Sequence, residues 1–204
     1  MPDKISEFVI DLGARPDTHG TSNPYRRIDC RLNLENYLRA MVARPGRRIL
    51  VVAEALGYRG GGLTGIPISS ENLLRLAPHP FLRALRESLQ IDGNTSEATA
   101  TMVWDTLAGR RRIPLFWNAF PFHPHRSDEP ASNRAPTADE VAEGQEYLVR
   151  LADIYRPQVV AGLGGKGTAA AQRAFPGISI IQIRHPSYGG KSDCQRGMEQ
   201  LLRR

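Results

Sequence analysis

Cysteine is scarce in this sequence of 204 residues: Cys30 and Cys194 lie far apart. Neither belongs to a Cys-x-x-Cys pair, which argues against a disulfide framework, a structural zinc site and a four-cysteine cluster. Long apolar runs are also missing, since none approaches the ~20 residues that cross a bilayer. The first residues lack the charged and then apolar layout of a secretory signal. We therefore expect a protein of the reducing cytoplasm, without membrane, metal or cofactor.

Positive charge is what the sequence has in excess. It carries 27 Lys and Arg residues against 21 Asp and Glu residues, a net charge of +6. Arginine supplies most of this charge, and guanidinium groups bind phosphates in bidentate fashion, so the balance suits a polyanion such as nucleic acid. Charge alone leaves the partner open, because many basic proteins bind no nucleic acid.

The spacing of apolar residues predicts an α/β fold. Short apolar runs typical of buried strands occupy residues 48–53, 113–119, 158–162 and 178–184. Helical patterns lie between and after them, at residues 82–89, 99–107, 137–155, 168–175 and 196–202. Thr137 to Glu140 forms a capping box, and Thr95 or Ser96 is the expected cap of the helix over 99–107. The alternation favours a mostly parallel sheet with helices on both faces, in one domain.

Polar residues stand where three of the predicted strands end. Glu54 ends the first strand and precedes a basic, glycine-rich loop; Asn118 lies within an aromatic run; His185 follows the last strand. Taken alone, each residue fits a structural role: Glu54 as a turn residue, Asn118 as an amide bonded to the backbone, and His185 as a packed core histidine. In a parallel sheet, however, all three would meet at one edge, where ligands bind. The convergence therefore favours a functional site.

Two further patterns are weaker. Residues 162–167 match Gly-x-Gly-x-x-Gly, but Lys166 is followed by glycine rather than by the Ser or Thr of a Walker loop. Arg184 stands where a dinucleotide fold needs an acid; it would suit a 2′-phosphate, so a nicotinamide enzyme stays a minor alternative. A helix N-terminus that receives a phosphate, or a plain tight turn, is the simpler interpretation. His123 and His125 suggest a metal pair but lack a clear third ligand.

The strand-end segments, in their order, resemble the uracil-DNA glycosylase superfamily. Residues 53–57 (Ala-Glu-Ala-Leu-Gly) resemble the first motif in the glutamate form of the bacterial iron–sulfur branches, and residues 63–68 resemble the continuation of that loop. Asn118 falls on the asparagine that reads the base, and residues 185–187 resemble the His-Pro-Ser motif. The likeness runs from about residue 48 to the C-terminus, and residues 1–45 are a segment of uncertain packing. It implies a three-layer α/β/α sandwich with a central four-stranded parallel sheet.

The resemblance also implies an activity. The chain would be a monofunctional glycosylase of base excision repair, which flips uracil out of single- or double-stranded DNA and hydrolyses its N-glycosidic bond. The products are free uracil and an abasic site. With two cysteines instead of four, the chain should carry no cluster. The resemblance implies a monomer in the cytoplasm, associated with the nucleoid in a bacterium.

Site residues follow from the resemblance in three groups. Glu54 and His185 are the implied catalytic residues. The implied substrate-binding residues are Asn118, Ala55, Gly57, Tyr58, Ile68 and Phe120. The implied DNA-binding residues are Arg184, Ser187, Tyr188, Lys166, Arg59 and Arg134.

The sequence departs from the family pattern at three places. Ile68 stands where a stacking phenylalanine is expected, so either Phe120, Phe122 or Trp117 stacks the base instead or the affinity for the base is lower. Tyr58 is near, but not at, the spacing that excludes thymine. Gly189 stands near the place of the wedge leucine, and Tyr188 is the candidate replacement. Two alternatives stay open: a glycosylase for another deaminated base such as hypoxanthine, and a damage-binding DNA module without catalysis.

Overall fold

A computed structural model describes residues 3–203 and has the predicted α/β architecture. Its strands are β1 (Thr21–Ser22), β2 (Ile49–Ala55), β3 (Leu115–Phe120), β4 (His123–Pro124), β5 (Val159–Leu163) and β6 (Ile181–Ile183). Its helices are α1 (Lys4–Ala14), α2 (Ile28–Ala43), α3 (Gly61–Thr64), α4 (Glu71–Leu76), α5 (Pro80–Arg86), α6 (Ala98–Leu107), α7 (Ala138–Tyr155), α8 (Gly164–Ala174) and α9 (Lys191–Arg203), with a 3₁₀ turn at Pro24–Arg26. No helix within residues 3–203 has the length and apolar content to cross a membrane.

The central sheet has four parallel strands in the order β3-β2-β5-β6. All four strands were predicted from the apolar runs, although β6 is shorter than the run over 178–184. A separate two-stranded antiparallel ribbon joins β1 to β4. Because the four central strands run in the same direction, their carboxyl ends lie at one edge of the sheet, as the sequence analysis expected.

Helices cover both faces of the sheet. The side chains of Phe116 and Trp117, adjacent in β3, point to opposite faces. Phe116 packs against Trp104 of α6, with ring centroids 6.0 Å apart, and its N–H donates to the hydroxyl of Tyr37 on α2. Trp117 packs against Phe8 of α1 at 5.6 Å. This is the three-layer arrangement that the sequence predicted.

The N-terminal segment, for which the sequence offered no motif, packs onto the same core. Helix α1 buries Ile5, Phe8, Val9 and Leu12, which follow the spacing of one helix face. Asp3 caps this helix by accepting from the N–H groups of Ile5 and Ser6. Helices α1 and α2 of this segment thus belong to the layers that cover the central sheet.

The predicted start of one helix is confirmed, and the predicted starts of two others differ from the structure. Thr137 and Glu140 form the predicted capping box at the start of α7. The predicted cap at Thr95 or Ser96 is wrong: α6 begins after Glu97, whose carboxylate accepts from the N–H groups of Thr99 and Ala100. Helix α8 begins four residues earlier than the predicted start at 168, directly after β5, where Gly164 adopts a φ of +76°.

Candidate active site

A cleft of about 480 Å³ opens at the carboxyl edge of the sheet. Its size lies within the range of small-molecule sites. The end of β2 supplies Glu54 to the cleft, the loop after β6 supplies His185, and the first turn of α8 supplies Lys166. Parallel topology therefore brings together an acid and an imidazole that are 131 positions apart in sequence.

Glu54 forms an ion pair across the cleft. The ammonium Nζ of Lys166 donates to its Oε1 over 2.8 Å. The side chains are 40% exposed for Glu54 and 54% exposed for Lys166, so solvent screens the pair and limits its contribution to stability. The effect of the lysine is to orient a carboxylate that water still reaches.

His185 is half-buried and held in one orientation. The backbone N–H of Ser187 donates to its Nδ1 over 3.3 Å, so the neutral ring carries its hydrogen on Nε2. Burial lowers the pKa of His185 below its ordinary value of 6.5, and Arg184 lowers it further, while Glu97 and Glu54 act in the opposite direction. The net lowering favours the neutral imidazole at neutral pH.

Asn118 lies beside the cleft in the middle of β3. It is only 1% exposed, and its amide oxygen Oδ1 is buried without a hydrogen-bond partner. Asn118 is in register with Ala53, which lines the cleft, so the two side chains share a face of the sheet. An unpaired buried carbonyl costs about 1–3 kcal/mol. Such a group is a candidate ligand contact.

The walls of the cleft come from three loops. Gly57, Ile68 and Ser69 belong to the segment after β2, and Glu97 and Thr99 to the start of α6. Asn133, Arg134 and Ala135 come from the long segment before α7. His123 anchors this segment, since its ring nitrogens contact the carbonyl oxygens of Leu56 and Pro130 at 2.9 and 3.0 Å.

Ile68 lines the cleft in a strained conformation. Its φ of +51° lies in the left-handed region, where a β-branched residue is an outlier. The indole Nε1 of Trp104 donates to the Ile68 carbonyl over 2.9 Å and helps to hold this conformation. Strain of this kind costs about 1–3 kcal/mol and concentrates at functional sites.

Some of the predicted substrate-binding residues line the cleft and others do not. Ala55, Gly57 and Ile68 line the cleft. Phe120 does not: it is fully buried and packs edge-on against Phe122 at 5.3 Å. Tyr58 also lies outside the lining; its backbone N–H donates to Oδ1 of Asn133 over 3.0 Å, which ties the first loop to the segment before α7.

The glycines after Glu54 have an internal packing role. A Cβ on Gly60 would lie 2.8 Å from the carbonyl oxygen of Ser69, and one on Gly61 would lie 2.4 Å from Leu56 Cδ2. Glycine at these two positions lets the loop fold closely onto itself, while Gly57, Gly60 and Gly61 all line the cleft.

The predicted DNA-binding residues occupy different settings. Tyr188 lines the cleft, is 98% exposed and has a φ of +53°, while Arg184 and Arg59 are exposed and Ser187 is half-buried. Arg134 is committed elsewhere: its guanidinium donates to both oxygens of Glu140, at 2.7 and 2.6 Å, and to the carbonyls of His125 and Gly20. Arg134 therefore clamps the loop rather than presenting free donors.

Sequence reasoning missed Glu97 and Asn133. Glu97 brings a second carboxylate into the cleft near His185, and Asn133 links the two loops that border it. A search for helix caps that included glutamate would have found Glu97, whereas the polar loop around Asn133 carries no periodic signal. Within residues 3–203 no group of three His, Cys, Asp or Glu side chains is placed to hold a metal ion.

Comparisons with known proteins identify the family and the fold. Residues 41–196 match the sequence model of the Uracil DNA glycosylase superfamily. The fold is similar to the crystal structure of wild-type SMUG2 from Pedobacter heparinus, with a TM-score of 0.68 and 14% sequence identity, over 98% of this chain and 95% of that one. No curated protein matches the sequence.

Proposed function

Because the chain belongs to the uracil DNA glycosylase superfamily, we propose that it is a monofunctional glycosylase that hydrolyses the N-glycosidic bond of uracil in DNA. The observation that carries the proposal is the convergence of Glu54 and His185 in one cleft, with the unpaired amide oxygen of Asn118 beside it. One copy of the chain supplies all three groups, so a monomer suffices. As a repair enzyme it would work in the cytoplasm, at the nucleoid in a bacterium.

The reaction begins when uracil leaves the base stack. Its glycosidic bond is inaccessible inside a duplex, so the nucleotide must rotate into the cleft. Tyr188, the exposed residue at the tip of the loop after His185, would fill the gap that the flipped nucleotide leaves. Arg184 and Ser187 of the same loop, and Arg59 opposite, would bind flanking phosphates.

Asn118 would read the edge of the base. Its Oδ1, which lacks a protein partner, accepts from uracil N3–H, and its Nδ2 donates to uracil O4. Cytosine presents the opposite pattern of donor and acceptor at these positions. An amide held in this orientation therefore rejects cytosine, because two like groups would face each other in a buried site.

His185 would stabilise the departing base. As the bond breaks, negative charge grows on uracil, and the Nε2–H of the neutral ring donates to O2. The lowered pKa of His185 keeps this hydrogen-bond donor in its neutral form at pH 7. The ring needs no change of protonation state for this role.

Glu54 would act on the sugar and the water. The carboxylate stabilises the positive charge that develops at C1′, and it orients and deprotonates the water that attacks there. The C1′–N1 bond breaks as the C1′–O bond forms, the electron pair goes to uracil, and the proton of the water goes to Glu54. Lys166 holds the carboxylate in place and, at the start of α8, also lies where a nearby phosphate would be bound.

Hypoxanthine is the second candidate base, and two observations favour it. Its O6 and N1–H present the same acceptor and donor pattern as uracil O4 and N3–H, so Asn118 would read both bases. The cleft of about 480 Å³ also has Ile68 rather than an aromatic ring at its wall, and Phe120 is buried. A cleft of this volume has room for the two-ring base hypoxanthine as well as for uracil.

The test is base release by the purified chain from oligonucleotides that carry uracil, hypoxanthine or thymine, in single- and double-stranded form. We expect release of uracil, and the thymine substrate tests whether the cleft excludes a 5-methyl group. Asn118→Asp, which replaces the Nδ2 donor by an acceptor, should lower the preference for uracil over cytosine. Release of hypoxanthine alone would favour the second candidate, and binding without any release would identify a damage-binding module.

A further inference from the structure

A cleft rich in arginine lies away from the candidate active site. A second cleft, of about 400 Å³, is lined by Arg44, Arg47, Arg48, Arg111 and Arg112, and no Asp or Glu belongs to its lining. The candidate active site, by contrast, contains the two carboxylates of Glu54 and Glu97. We call the second site the arginine cleft.

The arginine cleft lies at the amino edge of the central sheet. Arg48 directly precedes β2, Arg111 and Arg112 precede β3, and Tyr155 in the lining ends α7 just before β5. The candidate active site lies at the carboxyl edge. Since β2 has seven residues, about 20 Å of strand separates the two edges. A duplex seated on one edge therefore leaves the other edge open.

Four of the five arginine charges that line the arginine cleft are not neutralised by a carboxylate of residues 3–203. Arg44, Arg48, Arg111 and Arg112 form no ion pair with any carboxylate of residues 3–203. Several other arginines, such as Arg15, are paired at short distance. Like charges gathered in a concave site raise the local positive potential and attract an anion.

Main-chain contacts hold several of these guanidinium groups in place. Arg44 donates to the carbonyl of Arg111 over 2.7 Å, Arg48 to the carbonyl of Tyr155 over 2.9 Å, and Arg112 to the carbonyl of Leu202 over 3.1 Å. Each guanidinium has five N–H donors, so these bonds orient the group and leave further donors for a ligand. Ordering before binding lowers the entropic cost of binding.

We propose that the arginine cleft binds the sugar–phosphate backbone of a second DNA segment while the first segment occupies the active site. Guanidinium groups match phosphate oxygens in bidentate geometry. The larger apolar lining residues Met41, Ile113 and Tyr155 are buried and only Pro45 is exposed, so the groups offered to a ligand are guanidinium groups rather than aromatic rings, which suits phosphates better than stacked bases. The inference rests on the proposed action on DNA only for the choice of DNA as the source of phosphate.

The test captures a second duplex on the intact chain. The protein is bound to an immobilised duplex that carries a stable abasic-site analogue, and a fluorescent, uracil-free duplex is added at rising salt. Arg111→Gln with Arg112→Gln is compared with Arg83→Gln with Arg173→Gln, which removes the same charge from exposed positions outside both clefts. Sedimentation then establishes whether one protein holds two duplexes.

We expect the unmodified chain and the control pair to capture the second duplex. The cleft variant should bind the second duplex more weakly. The slope of the logarithm of its binding constant against the logarithm of the salt concentration should be smaller in magnitude by about 2, one for each phosphate contact removed. Equal capture by all three proteins, or capture only by protein dimers, would overturn the inference. Pyrophosphate should compete with the second duplex; pyrophosphate binding that depends on Arg111 and Arg112, without capture of DNA, would contradict DNA as the ligand.

Uracil release from a short oligonucleotide separates this inference from the proposed function. All three proteins should release uracil at the same rate, because the substituted arginines lie outside the active site. Release without capture of a second duplex would overturn only the arginine cleft as a DNA site. Absence of release from the unmodified chain would overturn the proposed function itself.

Discussion

The ammonium of Lys166 lies 2.8 Å from the carboxylate of Glu54, and both side chains face the same cleft. The lysine was expected from the sequence to bind phosphate. Its contact with Glu54 makes it a candidate positioning residue for the proposed general base.

Lys166→Met should slow uracil release in single turnovers by roughly two- to fivefold. The reason is that an exposed ion pair is worth about 0.2–1 kcal/mol, so its loss disorders Glu54 only modestly. Lys166→Arg, which keeps the charge, should restore most of the rate. A loss of rate as large as that of Glu54→Gln would contradict a positioning role and would indicate that the Lys166 amine takes part in the reaction itself.

The rate of uracil release should fall as the pH drops through a value below 6.5, where His185 takes up a proton. Burial is the main cause of the lowered pKa of His185, and the charge of Glu97 counteracts it. Glu97→Gln removes a charge that favours the imidazolium, so the acid limb of the pH–rate profile should move to lower pH. Glu87→Gln, at an exposed position, is the control. A shift toward higher pH in the Glu97 variant would refute this assignment.

Ile68→Gly should be more stable than Ile68→Ala by about 1 kcal/mol. Glycine adopts a φ of +51° freely, whereas alanine keeps the strain and loses most of the side chain. Both variants should bind a uracil-containing oligonucleotide more weakly, because each removes the side chain at the cleft wall. Urea unfolding measures the difference, and the reverse order of stability would show that position 68 is not strained.

Glu140 should make the fold sensitive to acid. Burial opposes its ionisation, but hydrogen bonds from Arg134, Thr21 and Thr137 outweigh burial and lower its pKa from 4.5 to about 2. The stability that this group contributes is therefore present above pH 4.5 and is lost as the pH falls toward 2. In Glu140→Gln the free energy of unfolding should change less over that interval, measured against the exposed control Glu146→Gln. Equal pH dependence in the two variants would show that the hydrogen bonds to the Glu140 carboxylate do not stabilise the fold.

Much of the fold was predictable because its signals are local. The four apolar runs became the four strands, and Thr137 with Glu140 formed the expected capping box. Helix α1 also had a readable spacing of apolar residues, but its segment carried no motif and went unassigned. The cap of α6 was misplaced because Thr and Ser are commoner caps than the glutamate that the fold uses.

The candidate site was predictable only in outline. Strand ends brought Glu54 and His185 together because parallel topology fixes the edge at which they lie. The surroundings of Phe120 and Arg134 depend on contacts with distant parts of the chain: Phe120 is covered by Phe122, and Arg134 is bound by Glu140. No local pattern in the sequence encodes such contacts, so burial and ion pairing of individual side chains had to come from the structure.

The most direct test of the central claim is single-turnover release of uracil by the unmodified chain and by Glu54→Gln, with DNA binding measured in parallel. The account predicts release by the unmodified chain and a loss of about 100-fold or more in the variant, since general base catalysis contributes on that scale. Affinity for DNA should remain within about threefold, because Glu54 acts on the transition state rather than on the phosphates. No release of uracil by the unmodified chain, or full activity in Glu54→Gln, would contradict the account.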